Sequence, residues 1–190
     1  MYERLSAAIN SKVKITEEEF ETIKYSFLPK KLRKRQFLLQ EGDPGRYAAF
    51  INKGSLRSYV IDTRGQEIIF RFSVESDWIT DYESFVYGNG SMFNIDAMED
   101  SELLLIDRRR WEELMDKSPK FERYIRILLE EITIASQYRT LANISLPADE
   151  RYSCFARSSP EIIQRFPQHM IASYLGMTAE TLSRIRKQIA

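Results

Sequence analysis

The residues best equipped for chemistry lie near the C-terminus, in "QHMIASYLGMTAETLSRIRK" at 168–187. Arg184 can donate two hydrogen bonds to guanine O6 and N7, and Glu180 can accept one from cytosine N4. Glu180, Ser183, Arg184 and Lys187 share one face of a helix, because residues three and four apart are surface neighbours. Arg186 and Lys187 suit phosphate oxygens. Gln168 and Thr178 stand at helix starts, whose unpaired N–H groups can also approach a sugar–phosphate backbone. Such a set reads a nucleic-acid duplex; it does not perform a reaction. Catalytic chemistry has little to draw on elsewhere. One cysteine, Cys154, and one histidine, His169, leave no thiolate or imidazole cluster for a metal and no serine–histidine relay. Neither an enzyme nor a metal protein is expected.

A second stretch, "DYESFVYGNGSMFNI" at 81–95, has the glycines and aromatic side chains of a ligand-cradling loop but no cation. Residues 72–107 around it carry nine Asp and Glu and no Lys, Arg or His. An anion would be repelled there, since an unpaired charge in a partly dry pocket is costly. Trp78, Tyr82, Phe85, Tyr87 and Phe93 could line a pocket there. Most of the aromatics read rather as ordinary core.

These residues need elements to position them. "ITEEEFETIKYSFLP" predicts a short helix with Thr16 and Glu19 as a capping box and Phe20, Ile23 and Phe27 as its apolar stripe. From about 31 to 107, short runs alternate with the turn signals "EGDPGR", "NKGS", "DTRGQE", "YGNG" and "MEDS", which predicts an antiparallel sandwich or jelly roll. The basic run "KKLRKR" at 30–35 reads as a solvated approach to the first strand, with a phosphate patch as the alternative. Residues 119–146 predict the longest helix. Phe121, Ile125, Leu128, Ile132, Ala135, Ala142 and Leu146 recur at 4–3 spacing, with Arg139 in one seam position, as in a helix–helix seam between two copies of the chain. Ile125, Leu128, Ile132 and Ala135 are the expected interface; the alternative is a helix packed on its own sandwich. After Pro147, "ADERYSCFARSS", "PEIIQRF", "PQHMIASYLG" and "TAETLSRIRKQIA" read as four helices. The last two form a helix-turn-helix: Ile171, Ala172, Leu175, Leu182 and Ile185 face inward, Gly176 makes the turn and Thr178 caps the second helix. A plain helical hairpin with a solvated face is the bland alternative.

With 190 residues, 43% of them hydrophobic, the chain can bury a core, and its formal net charge is zero. It has no apolar run near the roughly 18 residues that cross a bilayer. A soluble, cytoplasmic, metal-free protein with no membrane partner is expected.

The order of β-roll, long helix and helix-turn-helix resembles the CRP/FNR family of bacterial transcription regulators. The likeness is carried by "LLQEGDPGRYAAFINKGSLRSYVIDTRGQEIIF", with its E-G-D, K-G and D-x-x-G-x-E turns, and by "ADERY…PQHMIASYLGMTAETLSRIRK". It implies an α+β fold: a cyclic-nucleotide-binding-type jelly roll, a long dimerisation helix and a C-terminal helix-turn-helix. The divisions would be 1–117, 118–146 and 147–190. Implied partners are double-stranded DNA, a second copy of the chain and RNA polymerase. The resemblance has limits. Members that bind cyclic AMP carry a G-E-L…R-S-A cassette whose Glu takes the ribose hydroxyl and whose Arg neutralises the phosphate. Thr80-Asp81 and Ser91-Met92 stand in those places. Asp81 can still accept a hydroxyl, but Ser91 brings no charge, and Arg46, Arg57 and Arg71 lie far off in sequence. Cyclic nucleotide is therefore not expected as a cofactor; another uncharged or cationic effector stays open, with Trp78, Tyr82, Phe85, Tyr87 and Phe93 as possible lining. The cysteine-cluster and haem chemistry of other relatives is not expected either. The sequence ends at Ala190, so no β-hairpin wing is expected. A module of the same fold that leaves DNA alone is the alternative reading.

Overall fold

A computed structural model describes residues 2–189. Ala190, from which the sequence reading infers a missing wing, lies outside the described residues. The elements, numbered in chain order, begin with α1 (Glu3–Lys12), α2 (Glu17–Lys24), β1 (Leu28–Leu32), β2 (Phe37–Leu39), β3 (Tyr47–Lys53) and β4 (Leu56–Ile61). There follow β5 (Glu67–Ser73), β6 (Trp78–Ile79), α3 (Tyr82–Tyr87), β7 (Asn94–Ala97), β8 (Ser101–Asp107) and α4 (Arg108–Lys117). The long α5 (Pro119–Ser145) leads to α6 (Ala148–Ser158), α7 (Pro160–Arg165), α8 (Gln168–Tyr174) and α9 (Ala179–Ile189). The strands form two four-stranded sheets, ordered β1-β8-β3-β6 and β2-β7-β4-β5. The expected mixed fold of β-roll, long helix and C-terminal helices is the observed one.

The chain divides into two compact units. The first runs to Ser58 and resumes at Ser73–Glu130; the second comprises Tyr59–Phe72 and the chain from Glu131 onward. Strand β4 and helix α5 each pass from one unit into the other.

In the first unit, β3 and β8 pair antiparallel, with Ala49 opposite Leu105 and Ile51 opposite Leu103. Side chains alternate across a strand. Ala49, Ile51, Leu103 and Leu105 accordingly fill the space inside the roll. Ala48, Phe50, Leu104 and Ile106 point the other way, into a second core with the helices. Both strands are buried on both faces, which is why they read as unbroken apolar runs. The helix side is rich in aromatic rings. Trp78 meets Trp111 edge-on at 5.5 Å, and its indole N–H donates to the Tyr124 hydroxyl at 3.1 Å. Each buried polar tip thereby gains a partner. Lys30 and Lys31 of β1, an edge strand, face solvent.

Helix α2 starts at the expected capping box: Thr16 Oγ1 accepts the Glu19 N–H, and the Glu19 carboxylate accepts that of Thr16. Helices α1, α3 and α4 were not foreseen. Helix α1 places only Leu5 and Ile9 deep in the core, too short a stripe to stand out. Between β3 and β4 the K-G turn needs its glycine twice over. Gly54 has φ +94°, and an added Cβ would come within 2.8 Å of the Ser101 Cα.

In the second unit, α8 and α9 meet through buried Ile171, Ala172, Leu175, Leu182 and Ile185. Phe72 of β5 lies 4.3 Å from Phe166 and 5.4 Å from Tyr174, ring centre to ring centre.

Candidate functional site

The helix-turn-helix is built from local signals. Helix α8 closes with the N–H of Gly176 on the Ser173 carbonyl at 3.1 Å and the N–H of Met177 on the Ala172 carbonyl at 3.0 Å. This reversal passes through Gly176 at φ +64°, a conformation that costs a side-chain-bearing residue energy. Helix α9 then starts at Thr178, whose Oγ1 accepts the Thr181 N–H at 3.2 Å. Burying Leu182 and Ile185 turns the opposite side outward. Glu180, Ser183, Arg184, Arg186 and Lys187 are all exposed. Arg184, Arg186 and Lys187 thus put positive charge on the exposed side of α9. The N–H at the start of α9 and the Thr178 hydroxyl hold the Glu180 carboxyl below its usual range, leaving it an acceptor. Gln168 opens α8 half-buried, with its Oε1 buried and unpartnered. The structure therefore brings the α9 residues together on one open face and sets Gln168 and Thr178 at the two helix starts.

The seam read along α5 is placed differently. Ile125 is 2% exposed within its own chain's aromatic core, and Leu128 packs against the same core. Ile125 is thereby enclosed by its own chain, whereas Leu128 is half-buried and keeps part of its surface outward. Farther along, Ile132 is half-buried and Ala135 exposed. Arg139, in the seam position, stacks at 5.0 Å from Phe70 and 5.2 Å from Tyr174, ring centre to guanidinium. On α5 the large exposed apolar residues are Ile134, Tyr138, Leu141 and Ile144. They form a second stripe on the distal half of the helix. Leu141, Ile144 and Ile132 line a shallow groove there, of about 570 Å³. A 3.6-residue helix that is apolar on two sides satisfies a 4–3 pattern on either, and only packing tells which is which.

The cassette stretch is only in part a loop. Residues 82–87 form α3, and Asp81 is its N-cap, accepting the Ser84 N–H at 3.2 Å. The other carboxylate oxygen accepts the Ser91 hydroxyl at 2.8 Å and the Met92 N–H at 3.1 Å. Asp81 and Ser91 are each 3% exposed. An acceptor with three internal donors has little to offer a ligand hydroxyl, so the structure corrects the idea of a free Asp81. Ser84 completes the network by accepting the Gly45 N–H at 2.6 Å. Trp78 is committed to the core and to Tyr124, as is Phe85 to Trp111 at 5.6 Å. Tyr82, Tyr87 and Met92 lie on the surface. Thr80 borders a cavity of about 250 Å³. Leu38, Leu39 and Ile95 give its apolar wall, and Asp43 and Arg46 its charged one. The carboxylate field is also weaker than it reads in sequence: Asp96 is paired with buried Arg57, and Asp107 caps α4.

Known proteins fit this arrangement. Residues 29–118 match the cyclic nucleotide-binding domain family. The transcriptional activator protein anr of Pseudomonas aeruginosa is 26% identical over 169 residues, covering 81% of this chain and 67% of that protein. The fumarate and nitrate reduction regulatory protein of Vibrio cholerae is 28% identical over 167 residues, 82% of this chain and 66% of that protein. The chain thus spans about two thirds of the length of these relatives. FixK2 from Bradyrhizobium japonicum superposes with a TM-score of 0.70 over 86% of this chain and 84% of that one, at 22% identity, which places the fold.

Proposed function

We propose that the chain is a transcriptional regulator of the CRP/FNR family and that it binds double-stranded DNA through α9 as a homodimer. The single observation behind this is the division of α9: Leu182 and Ile185 anchor it to α8, while Glu180, Ser183, Arg184 and Lys187 are exposed on the far side. Arg184 and Glu180 address base edges; Arg186, Lys187, Gln168 and Thr178 address the sugar–phosphate backbone. Two copies would read half-sites about 34 Å apart, one helical turn. In this reading residues 1–117 form the sensory part, 118–146 the dimerisation helix and 147–190 the DNA-binding part, with the protein acting in the cytoplasm and RNA polymerase as a further partner. Selection from random duplexes should yield a palindromic consensus whose binding weakens steeply with salt. Failure to enrich any duplex sinks the reading.

The partner helix is expected on the exposed stripe. Leu141→Glu should convert the dimer to a monomer in light scattering while leaving the monomer folded. Ile125→Ala should instead lower stability by about 2–5 kcal/mol, as for a core truncation, with the dimer constant little changed. The reverse pattern would return the interface to the seam read from sequence.

We further propose that cyclic AMP binding has been lost. Asp81 is occupied by Ser84, Ser91 and Met92, and Ser91 stands where a cation would meet the cyclic phosphate. Calorimetry with cyclic AMP should show no saturable heat; a dissociation constant of about 1 μM, near 8 kcal/mol of binding, contradicts the proposal.

A further inference from the structure

Strand β5 is an edge strand, so part of its backbone lacks a neighbouring strand. The structure fills that gap with side chains from elsewhere in the second unit. Ser173, at the end of α8, accepts the Ile69 N–H at 3.0 Å and donates to the Glu67 carbonyl at 3.0 Å. A hydroxyl is suited to this double task, since it is both donor and acceptor. Arg139 of α5 donates to the Phe70 carbonyl at 2.6 Å and lies between the Phe70 and Tyr174 rings. Tyr174 is enclosed further by Phe72 at 5.4 Å and by Phe155 of α6 at 5.0 Å. The first helix of the helix-turn-helix is therefore gripped by β5, α5 and α6 together. None of the gripping residues belongs to the open face of α9.

We propose that Ser173 and Arg139 are positioning residues for DNA recognition: they fix the direction in which α9 points from α5 by latching α8 to the β4–β5 hairpin. This rests on the DNA-binding reading above. The latch leaves the α9 donors free, so it does not mask them. Its effect is on geometry. A duplex with two half-sites demands that both α9 helices of a dimer stand at a set spacing, whereas a duplex with one half-site makes no such demand. Holding α8 in one orientation removes the cost of ordering it at each binding event.

The test uses the full chain and two duplexes taken from the selection, one with both half-sites and one with a single half-site. Ser173→Ala and Arg139→Ala should each weaken binding to the two-half-site duplex about tenfold, the scale of one or two lost hydrogen bonds. Single-half-site binding should stay within about twofold of wild type, because no DNA contact has been removed. Ser173→Thr, which keeps the hydroxyl, should restore two-half-site binding. Hydrogen exchange should show the Ile69 amide opening faster in Ser173→Ala but not in Ser173→Thr. Equal losses on both duplexes, or stronger two-half-site binding, overturn the positioning role. So does unchanged binding by Ser173→Ala when the wild type binds normally. A wild type that binds neither duplex sinks the DNA-binding reading itself, and the positioning role with it.

Discussion

Asp96→Ala should destabilise the β-roll by about 3–5 kcal/mol, the largest loss expected from one substitution in this chain. Arg57 on β4 and Asp96 on β7, neighbouring strands of one sheet, meet side-on with Nε–Oδ1 at 2.8 Å and Nη2–Oδ2 at 3.1 Å. Both side chains are 8% exposed. The attraction between them mainly offsets the cost of taking two charges out of water, so the intact pair contributes little net stability. Removing the carboxylate alone is different. A guanidinium does not shed its proton at ordinary pH, so Arg57 would stay charged in a dry site without Asp96 to face it. Urea unfolding should show a lowered midpoint with an unchanged slope. Arg57→Met with Asp96→Leu should recover most of the loss, because neither charge is then left behind. A single-variant loss below about 1 kcal/mol would mean that water reaches the pair, contrary to its burial.

Arg184→Ala should have the largest functional effect. A bidentate contact to guanine is worth about 1–3 kcal/mol of discrimination, roughly five- to 150-fold. The selected consensus should relax at one symmetric pair of positions and hold elsewhere. Lys187→Ala should act differently, weakening all duplexes alike and reducing the salt slope by about one, as for a phosphate contact. Fluorescence anisotropy at fixed salt separates the two. A consensus left intact by Arg184→Ala would remove base reading from this residue and reassign α9 to backbone contact.

Much of the DNA-binding end was legible because its signals are local. Gly176 is where the chain needs positive φ, Thr178 is a cap, and the inward residues recur at helical spacing. Each is decided within a turn or two of chain. The same holds for Thr16 and Glu19. The cassette was legible only in part. The missing cation at Ser91 is plain from sequence, but Asp81 looked available because its donors Ser91 and Met92 lie 10 and 11 residues away. The α5 seam shows the remaining limit. Two apolar stripes share one helix, and periodicity does not say which one the chain covers itself.

The sequence by itself determined the order of β-roll, long helix and C-terminal helices, the helix-turn-helix with its outward Arg184, and the lack of a charge at the cassette. All three follow from residue type, capping and φ preference, which act over a few residues. Tertiary structure alone decided that Asp96 is neutralised by Arg57 39 residues away, that Ile125 is core while Ile134 and Leu141 are free, and that Ser173 closes the edge of β5 across 104 residues. Those outcomes depend on which distant groups exclude water from one another. Burial and charge pairing are properties of the packed chain, and no local window contains them.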